Sequence, residues 1–346
     1  MRIAAVFAAA FAGLLAGCSD GVAEPAASAG AGVVNLYSTR HYDSDLPLYE
    51  RFEKETGITI NRVEGKADEL IARMRAEGAA SPADLFVAAD AGALWRAEQA
   101  GLLQAFDPAT VAERIPANLR DPNNLWTGFT RRARVVAFDP AKVRPDEVDT
   151  YEELAGPRFR GKLCVRSSDS VYNLSLVGAL IEAWGPERAA GWARGVVANM
   201  ARPPQGGDSD QIRAVAAGTC EVALTNSYYF IRMAAGEDTA DKAVAAKTRL
   251  AFPSLNGEGA HANISGAAIA RNAPNKANAQ RLLEFFTEAA TQEHVARFNN
   301  EYPATPGVAA PAPVNGYPFA AHPMPVRSFA ARQPEALRVM SDAGWR

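Results

Sequence analysis

The sequence predicts an α/β protein built as two lobes around a cleft, and three observations carry that prediction. Short β-branched runs alternate with segments of helical period that stop at glycine. The alternation comes in two sets, separated by a strand-like run. Two later strand-like runs then lead back toward the first set. Strand and helix alternating at these lengths imply βαβ units and a parallel sheet covered on both faces.

The first set begins at Val33. "VVNLYS" is a short apolar run, and "DLPLYERFEKETG" is a helix that stops at Gly57, a natural C-cap. "ITINRVEG" and "ADELIARMRAEG" repeat the pattern, as do "ADLFVAAD" and "ALWRAEQAGLL". The stretch "DPNNLWTGFTRRARVVAFD" ends in a strand from Arg134 to Phe138. "GKLCVRS" opens the second set, followed by a helix beginning near Tyr172 and by the helices of "ERAAGWARGVVANM" and "SDQIRAVAAG". "CEVALTNS" is the next strand, and "RLAFPSL" and "ISGAAIA" lead back. "KANAQRLLEFFTEAATQEHVARF" reads as one long amphipathic helix, and the Pro/Ala-rich tail after it as a loop over the surface. With crossings near 130 and 255, one lobe comprises 33–130 and 259–346, and the other 131–258. Ligands of open α/β sheets bind at the carboxyl ends of the strands, here the space between the lobes.

Composition excludes one large class of partner. Lys and Arg number 36 against 39 Asp and Glu, a net charge of −3 in 346 residues. A balanced chain has no electrostatic footprint for nucleic acid. The first eighteen residues, "MRIAAVFAAAFAGLLAGC", combine a positive start, a short apolar run and a small-residue cleavage site. That is the pattern of an export signal, too short to span a bilayer. A Cys directly after "LAG" resembles a bacterial lipobox, so residues 1–18 are expected to be removed up to an acylated Cys18, with 19–32 as a flexible tether. The expected location is therefore periplasmic and lipid-anchored. Export leaves Cys164 and Cys220 as an even pair in an oxidising compartment. Joined, they would close a loop worth about 4 kcal/mol in the chain-entropy model; the alternative is two buried thiols.

Chemistry-bearing residues follow the strands. The first strand is followed by Arg40, His41 and Tyr42, the strand near 164 by Tyr172, and "CEVALTNS" by the adjacent pair Tyr228 and Tyr229. Within a strand, neighbouring side chains point to opposite faces; just past its end, both rings of a pair can face one space. Ionised phenolate is a hard anionic oxygen donor, suited to a hard, highly charged cation such as ferric iron. The free phenol titrates near 10, so the metal must displace its proton and affinity falls with pH. Three phenolates neutralise a trivalent ion, and a fourth calls for a nearby cation: Arg40, Arg131 or Arg132, which could also hold an anion such as carbonate. His261, His294, Tyr37, Tyr49 and Tyr151 read as structural. No HExxH is present, and no nucleophile-and-base pairing supports an enzyme.

"YSTRHYD", "FEKETGI", "SPADLF", "RARVVAF", "VYNLSL", "PQGGDSDQ", "NSYYF", "NISGAAIA" and "NEYP" occur in that order between about Val33 and Pro303. In this the chain resembles the periplasmic ferric-ion-binding proteins, the substrate-binding components of ATP-driven iron importers. The resemblance implies a type 2 periplasmic binding-protein fold with crossing hinge strands. It also implies Fe(3+) held by Tyr172, Tyr228 and Tyr229, with His41 and Tyr42 from the first lobe and Arg40 near an anion. A further subgroup uses a glutamate at the end of the third strand, where this chain has Ala89 and then Asp90; the tyrosine-rich site is the better template. The implied partners are a permease and ATPase of the ABC type in the cytoplasmic membrane, served by a monomer. Two rivals stay open: an anion or polyamine carrier on the same scaffold, for which the cleft loops offer Asp43, Asp45, Asp90 and Asp169, and a metal-dependent hydrolase.

Overall fold

A computed structural model describes residues 32–346; the expected export signal, Cys18 and the expected tether through residue 31 lie outside the described residues. The first set of elements runs β1 (Val33–Ser38), α1 (Leu46–Thr56), β2 (Thr59–Glu64), α2 (Ala67–Glu77), β3 (Leu85–Ala88), α3 (Ala91–Gln99), β4 (Leu103–Gln104) and α4 (Ala109–Arg114). β5 (Thr127–Phe138) leads to the second: β6 (Leu163–Cys164), α5 (Val171–Trp184), α6 (Pro186–Asn199), α7 (Asp208–Ala216), β7 (Val222–Asn226), α8 (Ser227–Ala235), α9 (Thr239–Ala246) and β8 (Arg249–Ala251). The return comprises β9 (Ala262–Ala270), α10 (Lys276–Phe286), α11 (Ala289–Asn299), β10 (Tyr302–Pro303), α12 (Val326–Ala331) and α13 (Gln333–Asp342).

The strands line up as β2-β1-β3-β9-β5-β7-β6, with β4 added to β9 and both β8 and β10 to β5. β1 pairs in parallel with β2 and β3, as the βαβ reading requires. β3 is buried along its whole length, the mark of a strand covered on both faces. α1 stops where Gly57 adopts φ 70°, a left-handed cap open to glycine at little cost. The two-lobed α/β expectation holds, and its pivot is β5. Residues Thr127 to Ala133 of that strand pair with β9, and Arg134 to Phe138 pair with β7. One strand therefore belongs to both lobes, and it begins seven residues before the run that reads as strand in the sequence.

Two other expectations need correction. The segment from Lys276 is two helices, not one. Thr287 Oγ1 donates to the carbonyl of Glu284 at 2.6 Å and Glu288 turns extended, so a side chain replaces the next helical bond. The C-terminal helices are also not confined to the first lobe: α13 packs on α5 and α6, and α12 bridges α3 and α5. Trp345 stands 6.2 Å from Trp192 and donates to the carbonyl of Arg166 at 2.8 Å. The chain thus crosses a third time, after the Pro/Ala-rich stretch, where no sequence period marks a crossing. Gln333 ties this segment back to the first lobe, donating to Asp90 at 2.9 Å and accepting from Arg96 at 3.0 Å.

Cys164 and Cys220 form a disulfide, with Cα atoms 5.9 Å apart and a sequence separation of 56. Both are buried, at 0% and 2% exposure. Replacing both by serine is expected to lower stability by about 4 kcal/mol on loop entropy alone, read as a lower denaturant midpoint under oxidising conditions. An unchanged midpoint would show that the bridge constrains nothing.

Candidate metal centre

β7 ends at Asn226 and α8 starts at Ser227, so Tyr228 and Tyr229 occupy the second and third positions of a helix. Asn226 is extended, as an N-cap residue should be, and Ser227 Oγ accepts from the amide of Ala133 at 3.3 Å, fixing the start of α8 on β5. Helical geometry replaces strand alternation here, and the two rings lie side by side with centroids 4.2 Å apart. Tyr172 is likewise the second residue of α5. Its hydroxyl lies 3.1 Å from that of Tyr228. Three phenols therefore sit on the first turns of two helices, where backbone N–H groups favour negative charge.

Tyr42 comes from the other lobe, on the loop between β1 and α1. The guanidinium carbon of Arg232 lies 5.9 Å from the Tyr42 ring and 5.7 Å from the Tyr228 ring, so one cation spans phenols of both lobes. Burial and then the neighbouring Tyr172 phenol push the Tyr42 pKa up to about 12, against the opposing pull of Arg40 and Arg132. Burial also raises Tyr172, Tyr228 and Tyr229, and each is raised further by another phenol or by Asp208. All four are thus neutral phenols at physiological pH, close enough that ionising one opposes ionising the next. Among the described residues, no group of three or more His, Cys, Asp or Glu side chains is arranged to hold a metal. The donors gathered here are phenolic oxygens.

Arginines surround them. Arg166 and Arg134 stand 5.3 and 6.0 Å from the Tyr172 ring, and both pair with the buried Asp208, at 3.4 and 2.8 Å. Arg40 lies 4.7 Å from the Tyr42 ring. Behind them Glu301, 1% exposed, accepts from Arg40 and from Arg132, each at 2.9 Å. Its burial opposes ionisation, but the two guanidiniums win and hold its pKa at about 2. Arg40 and Arg132 are balanced by Asp45 and Glu301, whereas Arg134 and Arg166 share the single carboxylate of Asp208 and, among the described residues, Arg232 makes no ion pair. The site carries surplus positive charge when the phenols are protonated.

Residues 48–321 match the family model described as bacterial extracellular solute-binding protein. This chain belongs to that family. The solute-binding protein is 45% identical over 327 residues to iron uptake protein A2 of Synechocystis, which covers 92% of each chain. It is 46% identical to the solved Trichodesmium IdiA/FutA protein in complex with iron and citrate, with a TM-score of 0.87 over 91% of this chain and 100% of that one. The Campylobacter jejuni ferric binding protein follows at 34% identity and TM-score 0.86, over 90% and 100% of the two chains.

Within this solute-binding protein, the residues singled out in the sequence divide into those at the phenol cluster and those beside it. Tyr42, Tyr172, Tyr228 and Tyr229 come together. His41 is exposed beside Tyr42, ring centroids 5.9 Å apart, with the Thr39 carbonyl 3.3 Å from its Nδ1. Arg40 does not present its donors to the cleft, because Asp45, Glu301 and Ser265 take them. Arg131 bonds the carbonyl of Pro303 at 2.9 Å, on the face of β5 opposite Arg132 and Arg134. Alternation along β5 puts Arg132, not Arg131, on the face shared with Arg134, where its terminal nitrogens are bonded to Ala89, Ile264, Ser265 and Glu301. The Ala89 carbonyl accepts from Arg132 at 2.6 Å. Asp45 and Asp90 are buried and fully engaged, which leaves Asp43 and Asp169 as the exposed carboxylates of these loops. Arg232, Asp208 and Glu301 escape a reading by strand ends, since each acts from a helix or a distant turn; Arg166, two residues past β6, lies where such a reading could have found it.

Folding favours the protonated form of these phenols. Their contribution to stability is therefore complete below about pH 10, the unfolded value, and is lost as pH rises through about 12 for Tyr42. In an ultraviolet phenolate titration of iron-free protein, Tyr42→Phe should remove one late-titrating tyrosine. Removal of one that titrates near 10 would contradict the electrostatic account.

Proposed function

We propose that this protein captures ferric iron between its lobes outside the cytoplasmic membrane and delivers it to an ABC-type importer. The observation that carries the reading is the convergence of Tyr42 from one lobe with Tyr172, Tyr228 and Tyr229 from the other. Phenolate suits a hard trivalent cation, and the similar Trichodesmium structure holds iron with citrate. A relative from Serratia marcescens, 28% identical, is called an Fe(3+)-binding periplasmic protein, in keeping with a periplasmic location here. Lipid anchoring through Cys18, action as a monomer, and a permease–ATPase pair as recipient complete the proposal.

The chemistry follows from the protonation states. Iron displaces one proton from each phenol that binds it. Three phenolates neutralise its charge, and the negative charge of a fourth falls among Arg132, Arg166 and Arg232. Carbonate has no obvious holder in Arg40, whose donors are engaged; Arg166, a quarter exposed, is the better placed cation for any co-bound anion. His41 lies at the rim, suited to the approach path as much as to the ion. A polyamine carrier would need cleft carboxylates, and two of the four candidates are buried in other bonds. The binding function needs no nucleophile or general base, in keeping with a carrier and not an enzyme.

Adding ferric citrate to apo-protein should produce a phenolate-to-iron charge-transfer band and raise the melting temperature. Tyr228→Phe combined with Tyr229→Phe should abolish the band while leaving the far-ultraviolet circular dichroism unchanged. A colourless wild type would overturn the proposal. In unbuffered solution, iron uptake should release about one proton per phenolate, so affinity falls steeply as pH falls; a pH-independent affinity would exclude phenolate ligation.

A further inference from the structure

The motif "NEYP" marks a corner that faces the loop carrying Tyr42. Asn300 has φ 60°, a left-handed turn between α11 and β10. That turn lets the residues on both sides of it reach the same loop. On one side, Asn299 Nδ2 donates to Asp45 at 2.6 Å, and its Oδ1 accepts from Ser44. On the other, Glu301 accepts from Arg40 at 2.9 Å. Asp45 in turn takes two bonds from Arg40, at 2.9 and 3.0 Å. The loop from Arg40 to Asp45 is therefore pinned at both ends by one short segment, and Tyr42 stands between the pins. β10 anchors the corner, since Tyr302 pairs with Arg131 of β5. His294, one turn earlier on α11, adds a bond to the carbonyl of Ser44 at 2.9 Å. All of Asp45, Asn299 and Glu301 are buried.

We infer that Asn299 and Glu301 are positioning residues for iron capture: they hold the Tyr42 loop in the place where its phenol meets the three phenols of the other lobe. They touch no ligand atom and act through Arg40 and Asp45. The inference rests on the iron-binding reading above, and the test separates the two. Partners that orient a ligand typically alter metal affinity about 10- to 100-fold when removed, and the same range is expected here.

The experiment measures transfer of iron from loaded protein to a competing chelator, together with the charge-transfer band. The variants are Asn299→Ala, Glu301→Gln, Tyr42→Phe and each positioning change combined with Tyr42→Phe. Asn299→Ala removes an uncharged side chain, with its bond to Asp45 and the one it accepts from Ser44, and keeps the test available if Glu301→Gln, which unbalances two buried guanidiniums, fails to fold. Asn299→Ala should release iron about 10-fold faster, with a shifted or weakened band, as Tyr42→Phe should. In the Tyr42→Phe background it should change nothing further, because the residue it positions is gone. A purely structural role would leave the band unmoved, or would add its effect to that of Tyr42→Phe, and either result overturns the inference. Absence of iron binding in the wild type would instead overturn the functional reading.

Discussion

The strand shared between the lobes is the constraint on which the site depends. β5 presents Arg132 and Arg134 on one face because side chains alternate with period two. Arg132 is bonded within the first lobe, to Ala89, Ile264 and Glu301; Arg134 is bonded within the second, to Asp208 and Asn173. A single backbone thus plants one guanidinium in each half, two residues apart, at the floor of the phenol cluster. The cations cannot be redistributed without breaking pairing on both sides of the strand. Breaking either buried ion pair by removing one partner costs roughly 3–5 kcal/mol, since it strands a charge away from water.

Protonation is the second element. Four neutral phenols in a buried space are tolerable, whereas four phenolates there without a cation are not. The arginines lower the barrier to ionisation without overcoming burial, so the phenols wait in the neutral form. Glu301 moderates the same field: it neutralises part of Arg40 and Arg132 and keeps Tyr42 from ionising early. Surplus positive charge around neutral donors is the arrangement expected where the bound complex is anionic.

Much of this was legible in the sequence, for identifiable reasons. Strand ends and helix stops are local signals, and they located Tyr42, Tyr172, Tyr228 and Tyr229. The same locality explains the errors. Alternation along "TRRARV" would have separated Arg131 from Arg132, but only knowledge of which face looked into the cleft could choose between them. Arg40 precedes His41 and Tyr42 and reads as a cleft residue, yet Glu301 lies 261 positions away and captures it. The split at Thr287 depends on a side-chain bond that competes with the helix. The third crossing leaves no period at all, being carried by Pro-rich chain and settled by packing of Trp345 against Trp192.

That last segment changes how the halves can swing. With two connecting strands, a pair of lobes resembles covers joined along one spine. Here α13 is seated on one half and α12 bridges both, while Gln333 is fastened inside the other, and Gly92 leaves the room its side chain fills, since a methyl group there would overlap it. The C-terminus therefore works as a clasp as well as an ending. Any widening of the gap would have to carry the clasp along or unfasten it.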